Sequence, residues 1–209
     1  MGSSERVRRR RVAPMAAEDR RAALISATLP LLREFGLEVS TRQIAAAAGV
    51  AEGTIFGVYS DKNSLLVDVL MDALDPDSTL QAIRAIDAGK TLRVRLAEAA
   101  ELVNERFTQN AQLMTAARKL VFMSGAHPEA AARMGASRGQ LQAALAELVL
   151  PDAAVLRRAP DAVAGLFLLF CGGNAFGPFG DPDHFDGEEL VSLLLDGLLI
   201  RPSIDHGGA

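Results

Sequence analysis

The chain has 209 residues, is 49% hydrophobic and 23% charged, and carries a formal charge of -4. That length accommodates one domain of about 200 residues or a small domain joined to a larger one. The single cysteine, Cys171, excludes an intrachain disulfide, a four-cysteine metal site and a zinc finger.

Ala, Leu and Val dominate the hydrophobic content, in long stretches without the alternation of strands, so the pattern predicts an all-α protein. Residues 1–62 hold ten Arg or Lys against seven Asp or Glu, whereas residues 63–209 hold twelve against nineteen. A net negative chain therefore has a basic end, and that end is the one suited to nucleic acid. Arg6, Arg8, Arg9, Arg10 and Arg11 form the densest cluster. As a mobile arm over residues 1–16 it would contact phosphates or enter a minor groove, and as a plain tail it would aid solubility; both readings stand. No continuous apolar segment of a secretion signal follows these arginines, and the run AGLFLLFC is too short to span a bilayer. The expectation is a soluble cytoplasmic protein with no membrane partner.

The first predicted helix runs from Ala17 to Phe35, with Leu24, Ile25, Thr28, Leu31, Leu32 and Phe35 on one side and Pro30 as a bend. Gly36 ends it. Ser40 and Gln43 have the spacing of a capping box, which starts a helix at Thr41 and leaves Thr41 and Arg42 beside free amides that suit phosphate oxygens. Ile44, Ala45 and Ala48 give that helix a buried side, and Gly49 suits a left-handed turn. A third helix is predicted from Ala51 to Tyr59 with Ile55 as its anchor. Thr54 and Gly57 then lie on the exposed side, Tyr59 packs its ring and exposes its hydroxyl, Ser60 caps the next helix, and Lys62 reaches a phosphate. The alternative assigns Thr54 and Tyr59 to packing and Lys62 to solvent.

This ordered segment, TRQIAAAAGVAEGTIFGVYSDKNSLL, resembles the helix-turn-helix and the start of the fourth helix of the TetR family of transcriptional regulators, with the likeness extending over residues 17 to 72. The resemblance implies a homodimer on double-stranded operator DNA, with three-helix heads at residues 17–62 and regulatory and dimerisation bodies at residues 63–201, before a tail at residues 202–209. It implies phosphate contacts from Thr41, Arg42, Tyr59 and Lys62, and a recognition surface at Thr54 and Gly57. Phe56, Val58 and Glu52 depart from the family's pattern: a phenolic hydroxyl is lost at Phe56, and Glu52 brings negative charge near DNA.

LLVDVLMDAL predicts a connecting helix to about Leu74, which the resemblance makes the link between head and body. Asp75, Pro76 and Asp77 break it and read as hinge or capping residues. Further helices are expected near residues 79–87, 91–107, 110–123 and 128–149, with Pro128 in a first turn. Leu92, Leu96, Ala99, Leu102, Val103 and Phe107 form one buried face, and Leu113, Ala117, Leu120 and Val121 another. A small-molecule pocket is expected from Phe107, Met114, Phe122, Met123, His127, Phe167, Cys171 and Asn174, whose aromatic and sulfur groups suit an apolar ligand. Each aromatic or Met equally suits a packed core. His127, His184 and His206 are too dispersed for a metal site.

The last two helices are expected at Asp161 to Phe176 and Gly187 to Ile200, flanking GPFGDPDHFDG. The resemblance implies that they pair with their symmetry mates through Val163, Leu166, Leu190, Leu193, Leu194, Gly197 and Leu198. No cofactor is expected. Enzymatic activity is the competing class, but Ser124, Ser137, His127 and the carboxylates form no nucleophile and base arrangement, and no glycine-rich loop follows a strand. A DNA-binding dimer without sensing is the second alternative.

Overall fold

A computed structural model describes residues 17–176 and 185–198. Among them the regular elements are helical, and the chain divides into two compact units at Val69 and Leu70. The sequence had drawn this boundary at residues 62 and 63. It falls later because Leu65, Leu66 and Val69 are all buried and the first half of the fourth helix folds with the first unit.

In the first unit, α1 (Ala17–Phe35) buries Leu24, Thr28 and Leu32. Thr28 is buried without an unmet donor because its hydroxyl bonds the Leu24 carbonyl at 2.7 Å. Pro30 lies inside this helix, yet it and Ser26, whose carbonyl loses its amide partner, are both exposed to water. Gly36 at φ 57 ends α1 and opens a 3-10 turn, Gly36–Glu38. The next helices are α2 (Thr41–Ala48) and α3 (Glu52–Phe56), joined by Gly49 at φ 66, a left-handed conformation that a side chain would strain. Ile44 and Ile55 are fully buried, so both helices hang from the same core.

α4 (Lys62–Ala73) begins in the first unit. Its cap is Asp61, whose carboxylate accepts the Ser64 amide at 2.9 Å, while Ser60 donates its hydroxyl to Asp61 at 2.9 Å. The sequence had given the cap to Ser60. These bonds hold the Asp61 carboxyl below its ordinary pKa, with the Ser64 amide the largest cause.

The second unit contains α5 (Asp77–Arg84), α6 (Leu92–Gln109), α7 (Ala111–Ala117), a π-helical turn at Arg118–Met123, α8 (Pro128–Val149), a 3-10 turn at Leu150–Val155, α9 (Pro160–Phe176) and α10 (Gly187–Leu198). α6 packs against α10 and α9, and α8 against α9 and α5. Leu96, Ala99, Val103, Leu145, Phe167 and Val191 meet in their shared core. One buried charge is structural. Arg95 bonds the carbonyls of Ala88 and Lys90 at 3.0 Å each and pairs with Asp152, so it fastens the loop before α6 to the 3-10 turn after α8.

α10 is seated just as closely. The Gly187 amide donates to Glu101 at 2.6 Å, and a Cβ there would lie 2.7 Å from the Ala97 carbonyl oxygen. Only glycine lets the start of α10 approach α6 this closely. No helix among the described residues is long and apolar enough to cross a membrane.

Candidate functional site

The reading segment is built from its capping box upward. Ser40 is extended, its amide donates to the Gln43 side chain at 2.9 Å, and the Gln43 amide returns a bond to Ser40 Oγ at 3.3 Å. The first amides of α2, at Thr41 and Arg42, have no intrahelical acceptor, and the Arg42 side chain is exposed. After the Gly49 turn, the Val50 amide bonds the Ala45 carbonyl at 3.0 Å and fixes the entry to α3.

α3 is shorter than the sequence predicted. It ends at Phe56, because the Gly57 amide bonds the Gly53 and Thr54 carbonyls at 3.2 Å and the Val58 and Tyr59 amides both turn back to Ile55. Glu52, Gly53, Phe56 and Gly57 are exposed over the buried Ile55, and Thr54 is half-buried. Phe56, 53% exposed, is a large apolar side chain on this face that sequence reasoning had noted only for its missing hydroxyl.

Three of the residues expected to touch phosphate have other engagements. The Thr41 hydroxyl donates to the Glu52 carboxylate, so its proton is committed within the protein. Lys62 directs its ammonium to the carbonyls of Leu37 and Val39, each at 3.0 Å, which leaves one of its three N–H groups. Tyr59 is buried beneath the Arg21 guanidinium, 5.3 Å from the ring centroid, and its hydroxyl is enclosed rather than exposed. Burial, followed by neighbouring Asp68, holds this phenol far above its ordinary pKa. Tyr59 is thus a core residue of the first unit, with Arg21 of α1 and Asp68 of α4 beside it. Arg8, Arg9 and Arg10 lie outside the described residues.

The second unit encloses a cavity of about 250 Å³. Met71, Leu74 and Asp75 contribute from the end of α4 and the residues after it, Arg106 and Phe107 from α6, and Met114 from α7. Phe122 comes from the π-helical turn, a distortion that recurs at functional sites. Arg133, Met134, Ser137, Arg138 and Leu141 descend one side of α8, and Leu168 closes the wall from α9.

Of the residues expected around a small molecule, Phe107, Met114 and Phe122 line this cavity. Met123 is 73% exposed, and His127 occupies the position before α8 without making a side-chain cap. Neither lines the cavity. Phe167 and Cys171 are fully buried in the helical core, which Leu168 shares while also lining the cavity. Burial pushes the Cys171 thiol up to about 12. The side chain of Asn174 lies outside the described residues.

Arg106 is the residue that the sequence reading missed. Ala99, Val103, Arg106 and Asn110 follow a helical repeat and are all buried, so an arginine on an apolar face was the available signal. Its guanidinium donates to the carbonyls of Leu74 and Asp75, at 2.5 and 2.9 Å, and its Nε–H is buried without a partner. Burial lowers its pKa from the ordinary guanidinium value.

The residues expected to pair with a second chain are not all exposed. Val163, Leu190 and Leu194 are buried in the chain's own core because α10 packs on α6. Leu193 is exposed on α10, and on α9 Leu166 is half-buried while Leu169 and Phe170 are 63% and 45% exposed. Nothing is described of the Gly197 and Leu198 side chains.

Comparison with known proteins agrees with this architecture. Residues 24–69 match the bacterial regulatory proteins of the tetR family. The fold is similar to that of a transcriptional regulator from Rhodococcus sp. Rha1, at 21% identity and TM-score 0.60, over 90% of this chain and all of that one. It is also similar to a TetR family transcription regulator from Marinobacter aquaeolei VT8, at 21% identity and TM-score 0.54, over 87% and 96% of the two chains. A third likeness is to the multidrug binding protein EbrR complexed with imidazole, at 18% identity and TM-score 0.61, over 89% and 98%. No curated protein matches. Residues 24–69 thus carry a helix-turn-helix of the TetR-family type, and the all-α fold as a whole is shared with solved structures of such regulators.

Proposed function

We propose that the protein is a homodimeric repressor that occupies a palindromic operator in the cytoplasm and leaves it when a small molecule enters the cavity of the second unit. The observation that carries this reading is the exposed face formed by Arg42, Gly53, Phe56 and Gly57 over the buried anchors Ile44 and Ile55. A helix-turn-helix with such a face reads the major groove, and paired heads read half-sites one helical turn or a multiple apart. Phe56 supplies an apolar contact suited to a thymine methyl, and Arg42 with the free amides of α2 supplies phosphate contacts.

Dimerisation is assigned to the α9 and α10 surface of Leu166, Leu169, Phe170 and Leu193, apolar side chains that water leaves without partners in one chain. Sensing is assigned to the cavity, which Met71 and Leu74 line from the end of α4, the helix whose first turn begins in the DNA-reading unit. A ligand that favours one position of this end over another changes operator affinity by its own differential affinity for the two states. Capture of genomic fragments by the purified full chain tests the reading. A shared sequence with two-fold symmetry is the expected result, and recovery of fragments in proportion to their abundance would refute it.

A further inference from the structure

The cavity is not uniformly apolar. Three of its lining residues are arginines, Arg106, Arg133 and Arg138, against a single carboxylate, Asp75. Asp75 already accepts the Asp77 amide at 2.9 Å. Arg106 is nine-tenths buried, and among the described residues no carboxylate pairs with it. Its terminal nitrogens are taken by the Leu74 and Asp75 carbonyls, and its Nε–H is left over. A buried N–H with no acceptor is uncommon in a folded protein and calls for a partner. Arg133 and Arg138, both exposed on α8 on either side of Ser137, form no ion pair among the described residues. The lining also includes the apolar side chains of Leu74, Phe107, Phe122, Met134 and Leu168, which can hold only hydrocarbon or aromatic surface.

We propose that the cavity selects a small amphipathic carboxylate, its head on the Arg106, Arg133 and Arg138 guanidiniums and its alkyl or aryl tail against Phe107, Phe122 and Leu168. This rests on the reading of the cavity as the effector site. Guanidinium groups remain charged across the physiological range and match a planar carboxylate through paired N–H donors, which the exposed Arg133 and Arg138 can offer. Arg106 lines the cavity with a charge that no carboxylate pairs with among the described residues, so a carboxylate head would supply the missing counter-charge. A cation would meet three like charges, and a neutral hydroxyl would accept a hydrogen bond without offsetting any of the positive charge. The volume of about 250 Å³ suits a compact ligand rather than a long lipid.

Calorimetric titration of the full chain at pH 7 with octanoate, 1-octanol and octyltrimethylammonium separates the outcomes, since the three share a tail and differ in head charge. Octanoate is expected to bind about tenfold more tightly than either analogue. Arg106→Gln should abolish that preference. Because Arg106 also secures the end of α4, Arg133→Gln and Arg138→Gln provide exposed variants whose melting temperatures stay near wild type, and each should weaken octanoate several-fold while leaving 1-octanol unchanged. Binding of 1-octanol or the ammonium as tightly as octanoate, or octanoate binding indifferent to Arg133→Gln and Arg138→Gln, overturns the carboxylate while keeping the cavity as a ligand site. Failure of all three probes to bind overturns the carboxylate and the sensing role together.

Discussion

The Thr41 hydroxyl donates a hydrogen bond to the Glu52 carboxylate, tying the first residue of α2 to the first residue of α3. The bond sets the reading helix against its supporting helix, and it also places a negative charge on the face assigned to DNA. Glu52→Gln keeps an acceptor for Thr41 and removes the charge. The expected result is tighter binding to both operator and random DNA with an unchanged melting temperature, measured by fluorescence anisotropy across salt concentrations. Unchanged affinity at low salt would move Glu52 away from the phosphates.

Lys62 has a dual assignment in which structure dominates. Its bonds to the Leu37 and Val39 carbonyls join the start of α4 to the segment between α1 and α2. Lys62→Met should therefore destabilise the protein by about 1–3 kcal/mol, the usual cost of leaving buried or charge-assisted acceptors unmet. Chemical denaturation reads this directly. A variant that loses DNA affinity with full stability would return Lys62 to a pure phosphate contact.

Most of the head was legible in the sequence because its signals are local. Ser40 and Gln43 cap one another three residues apart, and Gly49 is the residue type that a left-handed turn requires. Side-chain destinations were less legible, since Tyr59 and Lys62 are both long enough to reach either solvent or core. In the second unit, helix positions followed from periodicity, yet the cavity depends on which side of each helix meets which neighbour. Phe167 and Leu168 are adjacent on α9 and both buried in the core, yet only Leu168 also lines the cavity. Arg106 was hidden for a different reason: an arginine beside Phe107 reads as a surface residue until its neighbours Val103 and Asn110 are seen to be buried.

Cys171 carries the pH prediction. Its thiol is buried and its pKa is raised to about 12, so the folded state favours the protonated form. The stability from this preference is complete below the pKa of an unfolded cysteine, about 8.5, and is lost as pH rises from there toward the folded value. Native protein should react with a thiol reagent at pH 8 far more slowly than protein in denaturant. Equal rates would mean that Cys171 is reached from solvent.

Leu169 tests the pairing surface. It is 63% exposed, so Leu169→Glu should leave the fold of a single chain intact while placing like charges opposite each other in a symmetric interface. Sedimentation should show monomers at concentrations where the wild type is dimeric. A variant that remains dimeric would locate the interface elsewhere.

The central claim is sequence-specific DNA binding by two copies of this chain, and a stoichiometric titration tests it most directly. The captured symmetric sequence and a scrambled duplex of equal length are titrated with the full protein at one salt concentration, with sedimentation recording the mass of the complex. Two chains per symmetric site and a preference of roughly a thousandfold or more over the scrambled duplex are predicted. Equal affinity for both duplexes, or a single chain on the symmetric site, would contradict the account.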